Sequence, residues 1–375
     1  MATIAELVEQ RHIVICCGTG GVGKTTTAAT LAIEGARRGR DTVVVTIDPA
    51  KRLANTLGIA YLSNTAHEIP RESWDPDGTA SGAGRLHALM LDTKTTFDQL
   101  VQKYAVNEEQ SDQILENRFY RNIAGALSGT QEYMAMEKLY ELHDSGGFDL
   151  IVVDTPPTRH ALDFLDAPRR LTRMLDNRVF RFLMVPTRTT LRVGSVAAQA
   201  FLRTISRVVG TEPVDDVVSF FRSFEGMEQG FRERAALVTD LLSAQETAFV
   251  LVTSPRRDAV EEAEFFAARL VDGDFSVDAL VVNRVHPHYC DIDPAVLGAR
   301  ALELGARDDP ASARLAARYA NLAEFEEVAA RERRELAGLE ERLGHASVAH
   351  VPELGYDVHD FTALRAVGEH LMGPG

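Results

Sequence analysis

The sequence predicts an α/β protein: a doubly wound, mostly parallel sheet with an inserted α-helical subdomain. Three observations predict it. Short apolar, β-branched runs recur along the 375 residues, as strands covered on both faces require. Helical segments separate many of these runs, which is the alternation of a parallel sheet. Two long intervals break the alternation with helical sequence of their own, and loops of that length are improbable in a compact domain.

Each element follows from local pattern. Strands are expected at HIVICC (12–17), TVVVTI (42–47), LHALML (86–91), DLIVVD (149–154), AFVLVT (248–253), DALVVN (278–283) and SVAHV (347–351). KTTTAATLAIEGARRGR (24–40) is alanine-rich and stops in Arg and Gly, so a helix should follow the first strand. The polar segment 63–85, with Pro and Gly scattered through it, reads as a loop. Segment 321–344 pairs Glu with Arg at three- and four-residue spacing and reads as a solvated surface helix. The intervals 93–147 and 161–247 together should form the helical subdomain. The core is then 1–92, 148–160 and 248–375, with the subdomain on the side where strands end and ligands bind.

Composition narrows the function. There are 40 basic and 55 acidic residues, a net charge of −15. That balance opposes a broad footprint for DNA or an anionic membrane, so no nucleic acid is expected and membrane contact should be peripheral at most. Three cysteines give no disulfide framework and no C-x-x-C pair. Cys16 and Cys17 read as strand packing. His286, His288 and Cys290 alternate after a strand and read as a loop rather than a metal-ligand trio. The first residues lack a basic start, a long apolar stretch and a small-residue cleavage site, and no 18-residue apolar run follows. A cytoplasmic protein is expected.

The chemistry is concentrated in CCGTGGVGKTTT, residues 16–27. Gly18, Gly20 and Gly23 fit a dinucleotide loop, whereas Gly18, Gly23, Lys24 and Thr25 fit a phosphate loop. Lys24 and Thr25 decide for the phosphate loop. A lysine there reaches β- and γ-phosphates and a hydroxyl there ligates Mg²⁺; a dinucleotide loop needs neither. DLIVVD then delivers Asp154 at a strand end, where an acid holds Mg²⁺ through water. Glycines admit backbone N–H groups to phosphate, and the helix opening at Lys24 points its positive end at it. Asp48 ends the second strand, where a ribose-binding acid of a dinucleotide site would also lie.

These residues carry a family resemblance. GTGGVGKTTTAATLAIEGARRGRDTVVVTIDPAKRLANTLG (18–58) resembles the start of the arsenite-pump ATPase family, which includes the ATPase that targets tail-anchored membrane proteins. DLIVVDTPPTRHALDFLDAP (149–168) resembles its second switch, VVNRV (281–285) its adenine-contacting segment, and VPELGYDVHDFTAL (351–364) its C-terminal nucleotide loop. FFRSFEGMEQGFRERAALV (220–238) resembles its helical subdomain. The wider class of dimeric phosphate-loop ATPases also holds ParA-type partition proteins and the nitrogenase iron protein.

The resemblance implies ATP and Mg²⁺, and a role for each matching residue. Gly20, Gly21, Val22 and Gly23 would cradle phosphates, with Lys24 on the β- and γ-phosphates. Thr25 would ligate Mg²⁺, and Thr26 would touch the α-phosphate. Asp48 would orient or deprotonate the attacking water, which explains it better than ribose binding. Asp154 would sense Mg²⁺ through its water shell. Asn283 would bind the adenine edge, and backbone near Pro352 and Glu353 would close over the base. The family works as a dimer closed by ATP, with a groove for a hydrophobic helix between its helical subdomains. Here RMLDNRVFRFLMVPTR contributes Met174, Val179, Phe180, Phe182, Leu183 and Met184, read chiefly as subdomain core and secondarily as groove; Met134, Met136 and Met227 read likewise.

Three departures qualify that picture. The family's first loop lysine, which reaches the partner's phosphates, is Thr19 here, so the trans charge is missing. The family's C-x-x-C zinc clip is reduced to Cys290. Residues 93–247 contain no cysteine for arsenite. The expectation is an ATPase whose dimer cycle is coupled to a client, as a homodimer or as a heterodimer with a lysine-bearing paralogue. The rivals are a nucleotide-gated scaffold with little hydrolysis and a ParA-like positioning ATPase.

Overall fold

The computed structural model describes residues 2–47, 52–59, 61–123, 130–156, 158–176, 216 and 219–373. Among them, eight strands make one sheet: β1 (Ile13–Gly18), β2 (Asp41–Thr46), β3 (His67–Ile69), β4 (Arg85–Met90), β5 (Leu150–Asp154), β6 (Thr247–Thr253), β7 (Ala279–Val285) and β8 (Ser347–Pro352). Their order is β3-β4-β2-β5-β1-β6-β7-β8. Every neighbouring pair is parallel except β3 with β4. All seven expected strands are present to within a residue or two.

β1 shows why these runs were apolar throughout. All six of its residues are buried. Val14 and Cys16 pack into the core on one face, with helix Lys24–Arg37 and helix Phe361–Met372. Ile13, Ile15 and Cys17 pack into the core on the other, with helices Thr130–Asp144 and Arg257–Asp272. A parallel strand with both faces covered needs apolar side chains at every position.

The chain order reverses at β1: β5, β2 and β4 lie to one side, and β6, β7 and β8 to the other. Two adjacent loops therefore leave the strand ends in opposite directions, opening a crevice there. The loop after β1 fills the floor of that crevice.

Two expectations need correcting. Residues 63–85 are not simply a loop: they carry the antiparallel edge strand β3 and the one-turn helix Arg71–Trp74. Three residues are too few for alternation to show in sequence. What anchors the segment is Trp74, 1% exposed, whose indole N–H donates to the Ile69 carbonyl at 3.3 Å. Asp75 holds the following turn by accepting from the N–H groups of Thr79 and Ala80. The charged segment 321–344 lies in a helix, Pro310–Arg342, but not with a wholly solvated surface. Glu326, Ala329, Leu336 and Leu339 are buried on its inner face.

Among the described residues, helices of the two intervals contribute a third hydrophobic cluster that contains no strand residue. Leu100, Tyr120, Tyr133, Phe220, Phe224 and Phe231 are among its buried residues. Met134 and Met227 belong to it, and Met136 to the sheet-facing core, so all three are packing residues. Val179, Phe180, Phe182, Leu183 and Met184 lie outside the described residues, as does the side chain of Met174.

Candidate functional site

The loop from β1 to helix Lys24–Arg37 is shaped by its glycines. At Gly18, φ is 148° and an added Cβ would stand 2.0 Å from the Val252 carbonyl oxygen on β6. At Gly23, φ is 100°, and a Cβ would meet the Asn283 amide at 2.1 Å. Neither position tolerates a side chain, so the turn must be glycine on both counts. Gly23 is the N-cap of the helix and supplies no side chain to its open N–H groups. Those donors, with the helix dipole behind them, are the groups an anion would meet there.

Lys24 is 7% exposed, and its Nζ donates to the Thr19 carbonyl at 2.7 Å. The ammonium is thus folded back onto its own loop. Thr19 is buried, at 4% exposed. Thr25 donates from Oγ1 to Asp154 Oδ2 at 2.8 Å, and Thr46 donates to the same oxygen at 2.9 Å. Asp154 is the last residue of β5 and pairs in register with Cys16 on β1 and Thr46 on β2. Three adjacent strand ends therefore converge on one buried carboxylate. Thr155 continues the junction, donating from its hydroxyl to the Cys16 carbonyl at 2.8 Å.

This donor set fits Mg²⁺. The hydroxyl of Thr25 and the carboxylate of Asp154 are hard oxygen donors, already touching, at the helix end where phosphates would sit. Mg²⁺ favours one or two such protein ligands, completed by phosphate and water. Among the described residues no group of three or more His, Cys, Asp or Glu side chains is arranged to hold a metal by itself.

Asp48 lies outside the described residues. Ile47, just before it, is buried and donates its N–H to the Asp154 carbonyl at 3.1 Å. On the other wing, Asn283 donates from Nδ2 to the Val22 carbonyl at 2.8 Å, tying β7 to the loop. Pro352 ends β8, and the Glu353 N–H donates to the Val285 carbonyl at 2.9 Å. The glycine loop, Thr25, Thr26 and Glu353 line cavities in the crevice at the sheet's carboxyl edge, while Asn283 and Pro352, at the ends of β7 and β8, line neither of them.

Two cavities meet at Gly21 in that crevice. One, of about 290 Å³, is bounded by Lys24, Thr25, Thr26, Arg52, Thr155 and Arg284 among others. The second, of about 460 Å³, runs past Thr19 and Val22 toward Ser254, His286, Glu332 and Glu353. Sequence reasoning did not single out Thr46, Arg52, Thr155 or Arg284. Nothing in the local pattern marks the first three. Arg284 depends on a bulge that only the sheet register reveals.

The cysteines and histidines nearby play other parts. Burial drives the Cys16 thiol well up, with the Asp154 charge adding to it, and burial does the same for Cys17. Both are inert packing groups. His286 Nδ1 lies 2.7 Å from Glu332, and His288 Nδ1 lies 2.7 Å from buried Glu326. Glu326 also accepts from the N–H groups of Tyr289 and Cys290. The carboxylates of helix Pro310–Arg342 thus pin the 286–290 loop, a role the sequence did not suggest.

Comparison with known proteins agrees with the loop. The sequence profile of a family described as anion-transporting ATPase matches residues 11–301. The ATPase get3 of Schizosaccharomyces japonicus is 25% identical over 285 residues, 76% of this chain and 78% of that protein. The ATPase GET3 of Malassezia globosa is 27% identical over 175 residues, 46% of this chain and 48% of that protein. A Halobacterium salinarum protein carrying the name of an arsenical pump-driving ATPase is 31% identical over 163 residues, 43% of this chain and 24% of that protein.

Proposed function

This chain belongs to the anion-transporting ATPase family, whose nucleotide and cation are ATP and Mg²⁺, and on that premise we propose that ATP opens and closes a dimer whose cycle is coupled to a client. The client class we infer is a hydrophobic segment, such as a helix of a membrane protein. The helices within 93–147 and 161–247 are the part we assign to it, with the remainder as the ATPase core.

The observation that carries the catalytic half is the contact of Thr25 with Asp154 at 2.8 Å, beside Lys24 buried in the loop. In this reading Lys24 leaves the Thr19 carbonyl for the β- and γ-phosphates, exchanging a neutral acceptor for a charged one. The N–H groups of Gly20, Gly21, Val22 and Gly23 hold the phosphate chain, and Thr26 its α-phosphate end. Thr25 and Asp154 would hold Mg²⁺, Asp154 through water, and the cation would supply positive charge to the phosphates. Asp48 orients the water for in-line attack. Because Asp154 shares its oxygen with Thr46 on β2, a shift at Asp154 is passed directly to the strand that leads into Asp48. Asn283, Pro352 and Glu353 hold the base.

Phosphate release by the purified chain, with Asp48→Asn beside it, tests this. The wild type should turn over in Mg²⁺ and the variant should not; equal background release from both sinks the hydrolytic reading. A pull-down with Asp48→Asn in ATP should recover a hydrophobic client.

Thr19 supports a second reading: a nucleotide-gated subunit that hydrolyses little unless paired with a lysine-bearing paralogue. Thr19 is buried and uncharged, so it offers no cation to a partner. Native mass spectrometry of the endogenous complex distinguishes the assemblies, and a homodimer turning over as fast as a lysine-bearing relative would remove the heterodimer reading.

A further inference from the structure

Arg284 occupies a backbone conformation that its side chain does not favour. Its φ is 61°, in the left-handed region that disfavours residues other than glycine. It sits at the register shift between Asn283 and Val285, where β7 bulges against β8. Strain of this kind persists where the surrounding structure enforces it, and it gathers at ligand clamps. The bulge places Arg284 at the mouth of the crevice. It lines both cavities that meet at Gly21.

The two cavities differ in charge. Among the described residues the lining of the smaller one contains Lys24, Arg52 and Arg284 and no carboxylate, with Asp154 behind Thr25 at 2.8 Å. The larger one is lined by Asp258, Glu262, Glu332 and Glu353 beside its basic groups. An anion is therefore drawn to the Lys24 side, and Arg284 stands at the boundary. Among the described residues no ion pair engages its guanidinium, and the side chain is exposed. By contrast Arg256, across the larger cavity, is held by Asp258 at 2.6 Å.

We propose that Arg284 is a nucleotide-binding residue, its guanidinium held by the left-handed bulge so that it closes over the phosphates of the nucleotide from within the same subunit. This rests on the ATPase reading above. A guanidinium fits phosphate oxygens with two parallel N–H donors, and from this position it supplies positive charge in cis beside Lys24. The bulge explains why the residue is not glycine despite the backbone: the strain is offset when the phosphate is bound.

The test uses equilibrium binding of a fluorescent ATP analogue with Mg²⁺ to the full chain, with thermal unfolding in parallel. Arg284→Gly removes the guanidinium and relieves the backbone, so it should raise Kd by about tenfold or more while Tm holds or rises. Arg284→Lys keeps the charge and should recover most of the affinity. If Arg284→Gly is more stable and binds as tightly as wild type, Arg284 is only a strained surface residue and the proposal falls. If the wild type itself binds no ATP, the ATPase reading fails, and this inference with it.

Discussion

Asp154 Oδ2 accepts hydrogen bonds from two hydroxyls, those of Thr25 and Thr46, and the residue is 1% exposed. Charge and acceptor can therefore be separated by substitution. Asp154→Asn keeps an oxygen for both hydroxyls and removes the charge. It should unfold like wild type in denaturant, yet lower phosphate release about 100-fold, the scale of losing one preorganised electrostatic contact. Asp154→Ala removes the acceptor as well. Leaving buried Thr46 without it should cost about 1–3 kcal/mol on top of the lost activity. The glycines separate in the same way. Gly18→Ala meets the Val252 carbonyl and should destabilise clearly, whereas nothing lies within 4 Å of a Cβ at Gly21. Gly21→Ala should cost only the left-handed penalty, about 1–2 kcal/mol; a Gly21→Ala cost equal to that of Gly18→Ala would contradict the assigned clash. This much of the site was legible, because a phosphate loop is a contiguous motif whose glycines, lysine and hydroxyl stand at fixed spacing. Thr46 was not, because its meeting with Asp154 spans 108 residues of chain.

At the scale of elements, helix Thr130–Asp144 is joined to helix Glu228–Ser243 by one buried ion pair. Arg234 Nε donates to Glu137 Oε1 at 2.6 Å, with side chains 6% and 2% exposed. The guanidinium also lies 3.7 Å from the centroid of Tyr140. Burial pushes the Glu137 carboxyl above its usual range, although Arg234 opposes the shift. Arg234→Ala should therefore leave a buried carboxylate uncompensated and cost about 3–5 kcal/mol in chemical denaturation. The double variant Arg234→Ala, Glu137→Ala should lose much less than the sum of the singles; strict additivity would show that the pair is not coupled. Sequence pattern could place these helices but not their joint, since charged residues on a helix are ordinarily read as its solvent face. The strands were the easier case. A parallel strand buried on both faces announces itself by unbroken apolar residues, while β3, three residues at a sheet edge with two of them exposed, has no such signature.

Across the whole molecule, His12, His87 and His288 divide by environment in a way the sequence could not show. Burial, and then His143 at 4.9 Å between ring centroids, lowers His12 from its ordinary value. Burial likewise lowers His87, with Glu68 opposing. Both favour the neutral ring in the fold. A depressed folded pKa contributes stability that is full above the unfolded value of about 6.5 and is lost as pH falls through the folded one. His288 runs the other way: Asp291 and Glu326 raise it, so its contribution is present at low pH and fades as pH rises. His288 faces solvent, where screening weakens such pairs, so the two half-buried rings should dominate. Stability measured by denaturant unfolding should therefore fall from pH 7.5 to pH 5.5, before the carboxylates titrate. His12→Gln combined with His87→Gln should flatten that slope, because neither side chain then takes up a proton on unfolding. A slope unchanged in the double variant would move the pH sensitivity to other groups. The slope should also be nearly independent of salt, since desolvation rather than surface charge sets it.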